Sequence, residues 1–403
     1  MTASDIPGTG PMREMEADLA RFISAAGWEE PAAQARGAEA AFSDLAIRSF
    51  RIQCDTIPEY GAYARHVGRG PGGLGDWREI PPVPSSAFKE HGLSAARVGD
   101  GGTSGGAAPA SPTVTFETSG TTITRPGRVH LTSTHLYETS LLKSFTRHLL
   151  PDGARLKMII FGPTRAESPR SSLWFMADRV AARLCDAPSW IVEHGEPRWE
   201  RADAELARSL DGRVPVLLLG TTLLLRAYVE RCDRRGLCFA LPPGSRAMDT
   251  GGAKGTRVEL RPDDMAASIH RVFGIPRTHL VNEYGMAEMG SQFYEDTLLA
   301  AHERRPARRG FVIPPWVRTR VLDPETMLDL PEGRPGLLVH YDLANLDVPL
   351  AIQTEDVGAA AGNRLTLEGR LPEAERRGCS LPFEQFLERE RGARAERAPG
   401  VPR

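Results

Sequence analysis

VNEYGMAEMGSQ, residues Val281–Gln292, opens as a strand and breaks into a glycine turn. The strand ends in Glu283, Tyr284 and Gly285, and Glu288 follows four residues after Tyr284. An aromatic ring at a strand end can stack on a base, and a carboxylate can hold magnesium through oxygen. A core tyrosine beside a solvated glutamate would carry the same letters, so the surroundings decide. Upstream, short apolar runs recur: TVTFET, LKMIIFG, WIVEHG, VPVLLLG, SRAMDTGG and HLVNEYG. Helical stretches such as SSLWFMADRVAARL and LLLRAYVERCDRR lie between them. Strand–helix alternation predicts an α/β fold with mostly parallel strands. From Phe311 onward strands dominate, in WVRTRVLD, GLLVHYDL, LAIQTEDVG and NRLTLEGR, which predicts a β-rich subdomain.

Working outward, six segments are expected. Residues 1–10 read as a loose tail, and 11–98 as a helical region with apolar residues at 3–4 spacing. Residues 99–112, rich in Gly, Ala, Ser and Pro, read as a flexible surface loop. The α/β core covers 113–310, the β-rich subdomain 311–370, and a short C-terminal arm 371–403.

The 403 residues are ample for a sizeable core, and the net charge of −2 gives no pull toward nucleic acid or anionic membrane. The five cysteines show neither paired CxxC spacing nor a zinc-like array, so a reducing cytoplasm is expected. Cys232 and Cys238 read as ordinary helix-end residues. The N-terminus lacks a basic segment followed by an apolar stretch, so no secretory signal is expected. The longest apolar run is broken by Thr and Gly and is too short for a bilayer, so no membrane insertion is expected. Lys89, Lys143, Lys157 and Lys254 are the only lysines.

Four more stretches could carry chemistry. In FETSGTTITRPGRVHL a strand runs into Thr118, Ser119, Gly120, Thr121 and Thr122, whose hydroxyls and backbone N–H groups could converge on phosphate. Arg125 and Arg128 could neutralise that phosphate, although a polar turn reads the same. In MDTGGAKG, Gly251 and Gly252 allow close backbone approach to a planar ligand, with Lys254 nearby. In IQTEDVG, Glu355 and Asp356 could grip ribose hydroxyls. In LEGRLPEAERRGCSL, Arg370 follows a strand and Cys379 follows Gly378.

In this order and spacing the motifs resemble the adenylate-forming enzymes, which activate a carboxylic acid with ATP. More narrowly, LPPGSRAMDTGGAKG, NEYGMAEMGSQFY, PPWVRTRVLDPET, YDLANLDVPLAIQTEDVG and RRGCSL resemble the LuxE-type acyl-protein synthetases. The resemblance runs from about Thr113 to Leu381. It implies the N-terminal-domain fold of that superfamily with a strongly truncated C-terminal domain. It implies that Thr118 to Thr122 form the ATP phosphate loop and that Gly251 and Gly252 line adenine and substrate. Tyr284 would stack on adenine, Glu288 would bind Mg2+, Asp356 would bind ribose, and Arg370 would be the hinge arginine. Cys379 would be the residue that is acylated.

Two departures stand out. The phosphate loop reads ITRPGRV, with no lysine, and Ala287 stands where the superfamily has threonine. An arginine fork is not equivalent to a lysine point charge. The superfamily also carries a lysine in its C-terminal domain. Here the stretch after Arg370 is short and holds none, so Lys254 or the loop arginines are candidates to meet the developing charge. At Cys379 the flanking Arg376 and Arg377 could lower the thiol pKa, and Gly378 lets the backbone turn. A buried cysteine acting as a small hydrophobe is the structural alternative.

The leading expectation is an ATP- and magnesium-dependent synthetase that converts a fatty or other carboxylic acid to acyl-AMP and then to a thioester on Cys379. The resemblance implies delivery to an NADPH-dependent acyl reductase or another acyl acceptor protein. A ligase that uses a diffusible thiol (coenzyme A or a carrier protein) stays open, as does a non-catalytic nucleotide-binding partner of a reductase.

Overall fold

A computed structural model describes residues 10–28, 32–89, 92–95, 113–118, 126–251 and 262–371. Ser119, Gly120, Thr121, Thr122, Arg125, Gly252, Lys254 and the arm with Arg376, Arg377, Gly378 and Cys379 lie outside them, as does the 99–112 loop.

Three helices open the chain: α1 (Gly10–Ala25), α2 (Ala32–Thr56) and α3 (Pro58–His66). Helix α1 buries Met12, Met15, Leu19 and Ile23, a stripe at 3–4 spacing that seats it on the core. Helix α2 sends the buried Gln53 amide to the carbonyls of Asn345 (3.0 Å) and Val348 (2.7 Å), far along the chain. Within the helical region expected over 11–98, the last α-helix among the described residues ends at His66. Beyond it, prolines at 81, 82 and 84 remove N–H donors and push their predecessors away from helix. Val83–Pro84 instead forms a two-residue strand, β1, followed by a 3-10 turn at Ser85–Lys89.

The central sheet begins after the hairpin β2 (Val114–Glu117) and β3 (Arg128–Leu131) and helix α4 (His135–Leu149). Strands β4 (Lys157–Pro163) and β5 (Asp186–Glu193) flank α5 (Ser172–Leu184). The short β6 (Glu196–Pro197) precedes α6 (Trp199–Gly212), β7 (Val216–Thr221), α7 (Thr222–Arg235), β8 (Arg246–Thr250), α8 (Pro262–Phe273) and β9 (Leu280–Tyr284). Strands β5, β4, β7, β8 and β9 lie side by side, all parallel. The VLLLG part of VPVLLLG enters β7, buried on both faces, as a continuous apolar run in a parallel sheet must be. Its side chains alternate between two cores. Leu217 and Leu219 join Met158 and Ile160 under α4 and α5, while Val216 and Leu218 join Ile159 and Phe161 under α6, α7 and α8.

Beyond β9 the sheet turns antiparallel through β10 (Phe293–Glu295). After α9 (Thr297–His302) come β11 (Phe311–Val312), β12 (Val317–Leu322), β13 (Gly336–Asp342), β14 (Ala351–Ala361) and β15 (Arg364–Arg370). Strand order continues β9-β10-β11-β15-β14-β13-β12, so the sheet crosses position 310 without a break. Strand β1 pairs in parallel with β14, Val83 opposite Ile352 and Pro84 opposite Gln353. That pairing carries the Ser85–Lys89 turn alongside the middle of β14, where Asp356 sits.

Candidate active site

A cavity of about 640 Å³ opens at the carboxyl ends of β7, β8 and β9. Ligands of open α/β sheets bind at this edge, where strands end and helices begin. Its wall includes Thr221, Thr250, Gly251, Tyr284, Asp356 and Arg370. The N-termini of α5 and α7 face it through Ser172 and Thr222, so unpaired backbone N–H groups point toward the opening. Each helix is capped by its own sequence. The Ser171 hydroxyl accepts from the Trp174 N–H and the Thr221 hydroxyl from the Leu224 N–H, both at 3.3 Å.

Asp356 gathers the chemistry expected from the strand ends. The Tyr284 hydroxyl donates to its Oδ2 at 2.9 Å, and Arg370 Nε donates to its Oδ1 at 2.9 Å. Each carboxylate oxygen keeps a lone pair for a further donor. Arg370 also lies 3.8 Å from the Glu355 carboxylate. Burial pushes the Tyr284 phenol well above its usual range, and the Asp356 charge and hydrogen bond push the same way. Its ring leans on Phe293, Phe311 and His340. His340 is buried and accepts or donates through Nδ1 with the Thr319 hydroxyl at 2.9 Å.

Strand β8 ends in a second cluster. Gly251 has φ +78°, a left-handed conformation that glycine adopts freely and ends the strand in a turn. Its carbonyl accepts from the Thr222 hydroxyl, and the Thr250 hydroxyl donates to the buried Glu283 carboxylate. Gly285 lies between the large cavity and a smaller polar one of about 70 Å³. The smaller cavity is lined by Ser85, Lys89, Thr118, Glu288, Thr354 and the Asp356–Arg370 pair. Thr118 stands at the neck of the phosphate-loop candidate. Its N–H donates to the Gly127 carbonyl at 2.9 Å and its hydroxyl accepts from the Gly127 N–H at 3.0 Å. Arg128 pairs at 3.3 Å with Glu117 on the paired strand, a carboxylate that it shares with Arg170 and that lines the larger cavity. Arg128 itself is not a lining residue of either cavity but stands one ion pair behind the wall of the larger one.

Residues 74–388 match the family acyl-protein synthetase, LuxE. The chain belongs to the LuxE acyl-protein synthetase family. Two relatives carry the name long-chain-fatty-acid–luciferin-component ligase. The Aliivibrio fischeri protein is 22% identical across 58% of this chain and 62% of its own length. The Vibrio harveyi protein is 24% identical across 57% of this chain and 60% of its own. The chain thus spans about three-fifths of the length of these curated relatives. Among solved structures, 2-hydroxyisobutyryl-CoA ligase in an open conformation with 2-HIB-AMP and CoA is similar, with TM-score 0.57 and 14% identity over 82% of this chain and 75% of that one. The same ligase in its postadenylation state gives 0.58 and 15% over 85% and 69%. At such identity the likeness speaks for the fold alone: this LuxE-family chain has the α/β fold of adenylate-forming ligases.

Among the described residues of this LuxE-family protein no three His, Cys, Asp or Glu side chains converge into a metal cage. Magnesium bound beside a nucleotide needs only one or two carboxylates, phosphates and water. Glu288, buried on the wall of the polar cavity, fits that requirement. No helix among the described residues is long and apolar enough to cross a membrane. Sequence reasoning picked out the strand-end residues but passed over Thr222, Asn282, His340 and Lys89. The first three have no signal without the fold. For Lys89 the scarcity of lysine was such a signal.

Proposed function

We propose that this protein is an AMP-forming acyl-protein synthetase acting on a long-chain carboxylic acid. The observation that carries the reading is the Tyr284–Asp356–Arg370 cluster on the wall of the strand-end cavity, in a chain of the LuxE family. The acid class follows the name of the two curated relatives.

In this reading Asp356, pre-set by Tyr284 and Arg370, accepts from the ribose hydroxyls of ATP. Tyr284 and the Gly251 turn flank the adenine. Thr118, with Ser119, Gly120, Thr121 and Thr122 of the loop, receives the phosphates. Glu288 would hold magnesium, which supplies charge neutralisation to the phosphates when bound. The acid's carboxylate oxygen attacks the α-phosphorus. The bond to the bridging oxygen breaks, and pyrophosphate leaves with its electron pair. Holding both reactants in one cavity turns a bimolecular encounter into an intramolecular one.

The acyl-AMP is then attacked by the Cys379 thiolate. AMP departs and the thiol proton passes to solvent, leaving a thioester for an NADPH-dependent acyl reductase. Among the described cysteines Cys54, Cys185, Cys232 and Cys238 are all free thiols. Burial pushes the Cys54 and Cys185 thiols up to about 12, which makes them poor competitors for an activated acyl group.

Intact-protein mass spectrometry after incubation with ATP, magnesium and a panel of fatty acids tests the scheme. One acyl group is expected on the wild type and none on Cys379→Ser, with acyl-AMP formed by both. Acylation of Cys379→Ser, or AMP release that requires added coenzyme A, would assign the acceptor elsewhere.

A further inference from the structure

The four lysines of this sequence have very different surroundings. Lys143 Nζ is surrounded by the carbonyls of Ile23 (2.8 Å), Ser24 (2.7 Å) and Ala26 (2.7 Å), and so caps α1. Lys157 is ion-paired with Glu205. Lys254 lies outside the described residues. Lys89 is half-buried, makes no hydrogen bond or ion pair among the described residues, and lines the small polar cavity. The other cation of that cavity, Arg370, is committed to Asp356 and Glu355. A half-buried ammonium on the wall of a polar cavity can meet an anion that enters it.

Two features hold Lys89 in place. The β1–β14 pairing delivers the Ser85–Lys89 turn beside Thr354 and Asp356. From the other side the neck of the phosphate loop presses on the same turn. A Cβ at Gly127 would meet the Phe88 carbonyl carbon at 2.9 Å and its oxygen at 3.0 Å. Only glycine allows the loop neck and the lysine turn to touch so closely. Lys89 is thereby wedged between the Thr118 neck, Glu288 and the Asp356–Arg370 pair.

We propose that Lys89 supplies the cation that meets the α-phosphate and the attacking carboxylate during adenylation. The inference rests on the adenylation reading and goes beyond it by naming a residue. As the carboxylate oxygen bonds to the α-phosphorus and pyrophosphate leaves, negative charge gathers on the non-bridging oxygens. The Lys89 ammonium faces that charge and exchanges no proton. Its flexible stem and point charge suit a moving charge better than a fixed arginine fork.

The test is acid-dependent ATP–pyrophosphate exchange in wild type, Lys89→Ala and Lys89→Arg. It is read beside ATP affinity, the thermal midpoint and thioester formation from synthetic acyl-AMP. Loss of one preorganised charge contact costs about 100- to 1,000-fold in rate. Lys89→Ala is expected to lose that much exchange while keeping its thermal midpoint and its thioester formation from acyl-AMP. Lys89→Arg, and Lys89→Ala with added ethylammonium, are expected to recover part of the exchange. Wild-type exchange in Lys89→Ala would overturn the inference alone. Equal loss of exchange and of the acyl-AMP-driven step would also overturn it, by making Lys89 a packing residue. No exchange in the wild type with any acid would overturn the adenylation reading, and the inference with it.

Discussion

Asp356 is held by two donors that reach it from different strands, Tyr284 at the end of β9 and Arg370 at the end of β15. A hydrogen bond to a charged acceptor contributes about 1.5–3 kcal/mol. Tyr284→Phe keeps the ring packing on Phe293 and Phe311 and removes only the hydroxyl. It is expected to lower stability by about 1–3 kcal/mol in urea unfolding and to raise the KM for ATP. An unchanged KM would separate the Tyr284 hydroxyl from nucleotide binding. These residues were readable in advance because strand ends in an α/β chain face the site. Lys89 was marked only by the scarcity of lysine, because a 3-10 turn after a proline run does not say what it packs against.

At the scale of elements, Gly127 sets how closely the β2–β3 neck approaches the Ser85–Lys89 turn. An added methyl would strike backbone atoms of Phe88 and the Thr118 hydroxyl at 2.9 Å, and backbone yields less than a side-chain tip. Overpacking of this kind costs about 1–3 kcal/mol. Gly127→Ala is therefore expected to fold with a stability loss in that range. It is also expected to lose at least tenfold of its pyrophosphate exchange, because Lys89 and Thr118 are pushed apart. Full exchange in that variant would show that the contact matters to packing alone. The helix caps, by contrast, were legible locally: Ser171 and Thr221 are small hydroxyl residues just before helical runs, and both accept as caps.

At the scale of the whole molecule, buried titratable groups pull stability in opposite directions with pH. Burial pushes His148 and His340 down from 6.5 to about 4. Their lowered folded pKa makes stability fall as pH drops from about 6.5 toward 4, since the unfolded chain binds the protons first. Burial pushes Asp249 and Asp342 up from 3.8 to about 6, and Asp342 Oδ2 is left without a partner. Their raised folded pKa makes stability fall as pH rises through about 6, because the folded state prefers the protonated acid. Between pH 4.5 and 6 the two pairs oppose each other. Asp249→Asn with Asp342→Asn removes one side, so the stability of this variant relative to wild type is expected to climb with pH by roughly 2–3 kcal/mol per unit across that window. Urea unfolding at pH 4.5, 5.2 and 6.0 checks it, and a constant difference would mean that the two acids are ionised throughout.

The sequence by itself determined the class of fold and most of the strand-end residues. Apolar runs of six or seven residues, spaced by helical stretches, can bury both faces only as parallel strands under helices, and that pattern is local. Tyr284 and Arg370 were likewise legible as the ends of their own strands, whereas Asp356 lies in the middle of β14. Tertiary structure alone decided which of them touch, because the Asp356 bonds span 72 and 14 residues of chain. It alone also decided that the PPVP segment is a strand on β14, since prolines exclude helix but do not say which edge will accept them. The same holds for the partners of the charged groups. Arg128 reads as a free cation until a paired strand places Glu117, on the cavity wall, beside it. Lys89 reads as an ordinary turn residue until β14 and the Gly127 neck close around it. Charge is written in single letters, but its counter-charge is set by the packing of distant segments.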